Sequence, residues 1–178
     1  MDIATEVLSE IRHIFRSQYD MLNKTLAQVN DEQFFYQPDP ESNSIAINVK
    51  HLAGNMISRW SDFLTTDGEK ENRNRDSEFI TDSDTAESLK AYLERGYGVF
   101  FATLDSLTPD DLLKTVMIRN EPHTVIKALQ RQVSHYGYHV GQIVYIAKHV
   151  KQADWKTLSI PRGKSAEFVV TAFKAGTS

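Results

Sequence analysis

Apolar residues fall into four long stretches in which they return at steps of three and four, the period of an amphipathic helix. In the first, residues 2–29, Ile3, Val7, Ile11, Ile14, Phe15, Leu22, Leu26 and Val29 alternate with charges, which predicts a long opening helix. Residues 30–43 interrupt the pattern with Asp31, Pro38, Asp39 and Pro40, and read as a connecting loop. Ser44 is placed to cap a second helix through Ile47, His51, Leu52, Met56 and Trp60 to about Leu64. Residues 65–83 are dense in Asp, Glu, Lys, Arg and Asn and have almost no apolar period, so they form a long polar connection carrying Arg73, Arg75 and Asp76.

A third helix is expected from Asp84 or Thr85 through Leu89, Tyr92, Leu93, Val99, Phe100 and Leu104 to Leu107, where Thr108-Pro109 stops it. Residues 113–122 suit a loop with a little extended structure. The fourth helix is expected with Pro122 near its first turn and Val125, Leu129, Val133, Tyr136, Val140, Ile143, Val144 and Ala147 on its apolar stripe. Beyond Val150, a stretch containing Phe168, Val169 and Phe173 predicts a short C-terminal helix. The pattern as a whole predicts an all-α fold, a four-helix bundle occupying residues 1–178 as a single domain.

Only 8 Gly and 5 Pro occur in 178 residues, which favours helices over a turn-rich β fold. The formal net charge of −4 leaves no basic excess for nucleic acid, and no apolar run of about 18 residues or leader pattern signals a membrane or export. The expected location is therefore cytoplasmic. Cysteine is absent, so a metal must be held by nitrogen and oxygen, and thiol chemistry needs a thiol from outside.

His135 and His139 stand four residues apart on the fourth helix, so both imidazoles point the same way and can chelate one ion. The same spacing also occurs in pairs that are merely hydrogen-bonded or solvated. His51, in mid-helix two, is the best placed third ligand, with Asn48 and Asn55 one turn before and after it. His13, His123 and His149 lie near helix ends or beside charges, where exposure is the ordinary state. The run His135-Tyr136-Gly137-Tyr138-His139 lacks the Glu of a zinc-protease helix, so a general base of that kind is missing. Three neutral ligands would leave a position for water or a thiol, and a divalent ion lowers the pKa of bound water toward ~7. Zinc and nickel lead, with iron and manganese compatible.

Three segments carry a family resemblance: Lys50-His51-Leu52-Ala53-Gly54-Asn55-Met56, Ser58-Arg59-Trp60-Ser61-Asp62-Phe63, and Ser134 through Gln142. In these the chain resembles the DinB/YfiT-like superfamily of bacterial metal-binding four-helix bundles, which is distinct from the DNA polymerases of similar name. The resemblance covers nearly the whole chain, and the end from Trp155 to Ser165 is similar to one uncharacterised branch. It implies a metal on His51, His135 and His139, and a homodimer. Members with known activities use low-molecular-weight thiols in transferase and isomerase reactions, and others are described only as metal-dependent hydrolases.

Asn55, Arg59, Tyr138 and Gln142 are the further candidates for catalytic roles. Arg59 could hold a substrate carboxylate or simply pair on the surface with Asp62 or Asp67, while Trp60 is a pocket wall or core. Tyr138 could orient a ligand, donate a proton or only pack. Gly163-Lys164-Ser165 lacks the first glycine of a phosphate loop, since Leu158 stands there, and is not a nucleotide site. The leading expectation is an enzyme that activates water or a small thiol against a small-molecule substrate. The alternative is a non-catalytic metal-binding protein or dimeric interaction protein of a stress or detoxification response.

Overall fold

The computed structural model describes residues 2–167, which are mostly helical. Helices α1 (Ile3–Leu26), α2 (Asp31–Phe35), α3 (Ile45–Trp60), α4 (Ala86–Ser106) and α5 (Val125–Lys151) surround one buried apolar cluster. Each long helix starts on a side-chain oxygen that satisfies an otherwise unpaired amide: Asp2 for α1, Ser44 for α3, Thr85 for α4 and Thr124 for α5. Among the described residues no helix is long and apolar enough to cross a membrane.

Three local readings change. Residues 30–43 contain the short helix α2, because Asn30 and Gln33 close a capping box and Phe34 is buried beneath it. The second long helix stops at Trp60, where Ser61 turns extended and Asp62 takes a left-handed φ of 49°. Pro122 is not in the first turn of α5 but in a β-strand opposite Met117. Its missing N–H is tolerated there because a two-stranded ribbon has only edge strands.

That ribbon pairs β1 (Thr115–Ile118) with β2 (Glu121–Thr124) antiparallel, around a turn in which Arg119 and Asn120 both have positive φ, 55° and 61°. Val116 and Ile118 face the core. The expected helix around Phe168, Val169 and Phe173 lies outside the described residues.

Helix α3 is the centre of the arrangement. It packs on α4 and α5 while α1 packs on α5. Phe15, Trp60, Phe100 and Tyr136 join these four helices through ring contacts, Phe15 to Phe100 at 4.7 Å and Trp60 to Phe100 at 4.9 Å between centroids. Because α3 is covered on nearly every side, its polar residues Asn48, His51, Asn55, Ser58 and Arg59 are buried as well. Buried polar groups need partners, and those partners define the site.

The polar connection after α3 folds back as a strap. Lys50 Nζ donates to Ile80 O and to Asp84 Oδ2, both at 2.6 Å. At the strap's other end the Asp67 carboxylate accepts the Arg119 and Asn120 amides of the hairpin turn at 2.9 and 2.7 Å. A 3-10 turn at Asp76–Phe79 lies between, against α3.

Candidate metal centre

His51 on α3 and His135 and His139 on α5 come together, with candidate ligand atoms all within 4.8 Å of one another. His51 and His139 are 4% and 8% exposed, and His135 is half-buried. Helix geometry brings the α5 pair onto one face, and the direct packing of α3 on α5 brings His51 opposite them.

Each ring uses its Nδ1 to hold the protein. His51 Nδ1 lies 2.8 Å from Glu78 Oε2, His139 Nδ1 2.8 Å from Asn48 Oδ1, and His135 Nδ1 3.2 Å from Gln132 Oε1. The Asn48 amide is itself oriented, since its Nδ2 donates to Ser44 O at 2.9 Å and leaves Oδ1 for the histidine. An oxygen acceptor at Nδ1 requires the proton there, so the lone pair of each ring sits on Nε2. His51 Nε2 and His135 Nε2 are 3.3 Å apart. Two nitrogens bound at about 2.0–2.1 Å to one tetrahedral zinc ion would be about 3.3–3.4 Å apart, so this pair fits such an ion.

Burial, then the neighbouring histidines and the cationic Arg59 and Arg73, hold His135 down to about 3. Burial and His51 hold His139 down to about 4. Both are therefore neutral near pH 7, the form that ligates a metal. Burial works to raise Glu78, but its hydrogen bond to His51 and its bonds to Arg73 prevail and hold it below the usual carboxylate range.

Glu78 is the partner that sequence reasoning missed. It lies 27 positions after His51 in the polar strap, and no local periodicity marks it. Arg73 grips its carboxylate with two bonds, Nε to Oε1 at 2.8 Å and Nη2 to Oε2 at 2.9 Å. The Phe79 ring lies tilted beside His51 at 5.2 Å, and Phe79-Ile80 inside a polar run is the one trace of this contact in the sequence. Gly54 makes room for it: a Cβ there would sit 2.8 Å from Glu78 Cδ.

The other candidates separate. Asn55 Oδ1 accepts the Tyr136 hydroxyl at 3.1 Å, and that hydroxyl accepts Trp60 Nε1 at 2.8 Å, so Asn55 ends a buried relay. Trp60 is core. Arg59 is 3% exposed, a correction to its reading as a surface partner of Asp62 or Asp67. Tyr138 is 63% exposed and meets the His139 ring edge-on at 5.1 Å. Gln142 Oε1 is buried without a hydrogen-bond partner among the described residues, and Gln142 shares a cavity of about 630 Å³ with Asn48 and Tyr138. A second cavity, of about 210 Å³, opens beside His51 and His135 and is lined by Asn55, Gln132 and arginines.

A family model described as a protein of unknown function, DUF1572, matches residues 2–164. No match is found among curated proteins.

Proposed function

Because the chain belongs to the DUF1572 family, a DinB/YfiT-like family, we propose that it is a single-domain four-helix bundle whose centre is a divalent-metal site on His51, His135 and His139, and that it is a metal-dependent enzyme. The observation that carries this reading is the common orientation of the three rings, each with Nδ1 committed to an oxygen acceptor and Nε2 left toward the others. Facing lone pairs repel unless a cation lies between them, and the depressed titration of His135 and His139 disfavours a proton in that role.

A divalent ion held by three neutral imidazoles supplies Lewis acidity at a further position, enough to make water or a small thiol acidic near neutral pH. The protein's own groups do the remainder. Glu78, locked by Arg73, fixes the His51 ring and makes it a better donor, as a carboxylate behind a ligating histidine does. Asn48 and Gln132 fix the other two rings. The cavity beside His51 and His135 gives a small substrate access to the same point. The absence of cysteine suits a thiol that arrives as co-substrate, and hydrolysis uses the same site. Zinc or nickel suits the all-nitrogen donor set best, with iron or manganese next.

The test is elemental analysis of protein purified without a polyhistidine tag, compared with His51→Ala and with the His135→Ala/His139→Ala double variant. About one metal per native chain, lost in both variants, is expected. The loaded protein is then assayed for thiol transfer and hydrolysis, which His135→Ala should abolish. A native chain that takes up no metal after reconstitution would refute the reading.

A further inference from the structure

Arg59 sits two turns along α3 from His51, in a helix covered on nearly every side. Its guanidinium is packed against Gly68, where an added Cβ would stand 2.9 Å from Arg59 Cδ and 3.0 Å from Nη1. A buried charge ordinarily has an ion pair and a full set of hydrogen bonds. Arg59 has one long ion pair and an incomplete set of hydrogen bonds: Nη2 is 3.8 Å from Glu69 Oε2, beyond hydrogen-bond range, and Nε and Nη1 are buried with no hydrogen-bond partner among the described residues.

The nearby carboxylates are already engaged. Glu69 accepts Arg73 Nη1 at 3.1 Å and Arg119 Nε at 3.3 Å, and Glu78 is held by Arg73 and His51. Arg59 lines the cavity of about 210 Å³ together with Arg73, Arg75, Arg119 and Arg131, and among the described residues no acidic side chain lines it. In a chain of net charge −4 this is a local cationic excess, walled on one side by His51 and His135. Burial lowers the Arg59 pKa; Tyr136 and Glu69 oppose that shift, and Arg131 and Arg73 add to it.

We propose that this cavity is an oxyanion subsite, in which Arg59, with Arg75 and Arg131 beside it, receives the carboxylate or phosphoryl group of a substrate whose reacting end lies at the histidines. The guanidinium fork matches either group in two-point geometry. Asn55 and Gln132 line the same cavity, and Gln132 also orients His135, so an anion seated here is adjacent to the reactive side of the site. The proposal rests on the metal reading for the fate of the reacting end, while the anion seat depends on the arginines alone.

The experiment is calorimetric titration with inorganic phosphate and with acetate, on protein stripped of metal with EDTA and on protein reloaded with zinc. Saturable binding of at least one probe to the stripped protein is expected. It should weaken roughly tenfold or more in Arg59→Lys, which keeps the charge and loses the fork. The Arg75→Gln/Arg131→Gln double variant, on exposed positions, should also weaken binding and carries the test if Arg59→Lys does not fold. Arg16→Gln, paired remotely with Asp105, should leave it unchanged. Preference for phosphate or for acetate identifies the phosphoryl or the carboxylate source, and either supports the subsite. No saturable binding, as when ordered water alone fills the cavity, overturns the proposal. So does binding confined to the zinc form and indifferent to the arginine variants, because the anion would then be a metal ligand. Anion binding without any uptake of zinc would sink the metal centre and leave the subsite standing.

Discussion

Gly54 and Glu78 show how much of the site depends on a single missing methyl group. Glu78 reaches His51 only by passing over the α3 backbone at Gly54, where a Cβ would lie well inside van der Waals contact of its carboxylate. Gly54→Ala should therefore displace Glu78 without touching a histidine. Loss of such a supporting partner typically costs ~10–100-fold in metal affinity. Competition against a fluorescent zinc chelator should read that loss in Gly54→Ala, and a similar one in Glu78→Gln, which keeps the shape and removes the charge. Unaltered affinity in both would show that the His51–Glu78 bond does not tune the site. The histidines, Asn48 and Asn55 are visible as spacings on helices, whereas Glu78 and the burial of Arg59 are not, since a strap residue meets α3 only after the chain has returned to it.

Among the elements, the caps join local sequence to the position of the site. Ser44 Oγ accepts the Ile47 amide at 3.1 Å, and Ser44 O receives Asn48 Nδ2, so one residue both starts α3 and orients the partner of His139. Ser44→Ala should cost about 1 kcal/mol in urea unfolding, the usual value of an N-cap. Retention of native stability would mean that the end of α3 is satisfied otherwise.

Between α4 and β1, Asp111 caps its own turn. Its bond to Lys114 and the donation of the Thr108 amide and hydroxyl at 2.7 and 2.8 Å hold its carboxyl down to about 2. The folded pKa lies below the unfolded one, so this contribution is fully present above about pH 4 and is lost as pH falls toward 2. Denaturant unfolding between pH 2 and 5 should show that slope in the native chain and a shallower one in Asp111→Asn. The cap at Ser44, and the start of α4 to within Asp84 or Thr85, were readable because N-caps act within three residues. The capping box over α2 and the strand position of Pro122 were not: five residues are too few to display a helical period, and a ribbon is recognised only by its partner strand.

At the scale of the molecule, the apolar cluster joins all four long helices through Phe15, Trp60, Phe100 and Tyr136 and does not need the histidines. Metal removal should accordingly leave a folded protein. With EDTA the far-ultraviolet circular dichroism should keep its helical form. Zinc at about a hundredfold above Kd should raise Tm by roughly 5–10 °C for a chain of this length. Collapse of the helical signal on chelation would make the metal a folding element and argue against an exchangeable catalytic site.

The sequence by itself determined the helical class, the approximate extent of four long helices and which faces of them carry the histidines, because helical periodicity and capping are properties of neighbours within a few residues. The tertiary structure alone decided that α3 is enclosed, that the strap returns Glu78 and Arg73 to His51, and that Arg59 is buried with Nε and Nη1 lacking hydrogen-bond partners among the described residues, beside a cavity lined by arginines. Those facts depend on contacts between segments tens of residues apart, where burial and the satisfaction of polar groups are settled by packing, which no local pattern records.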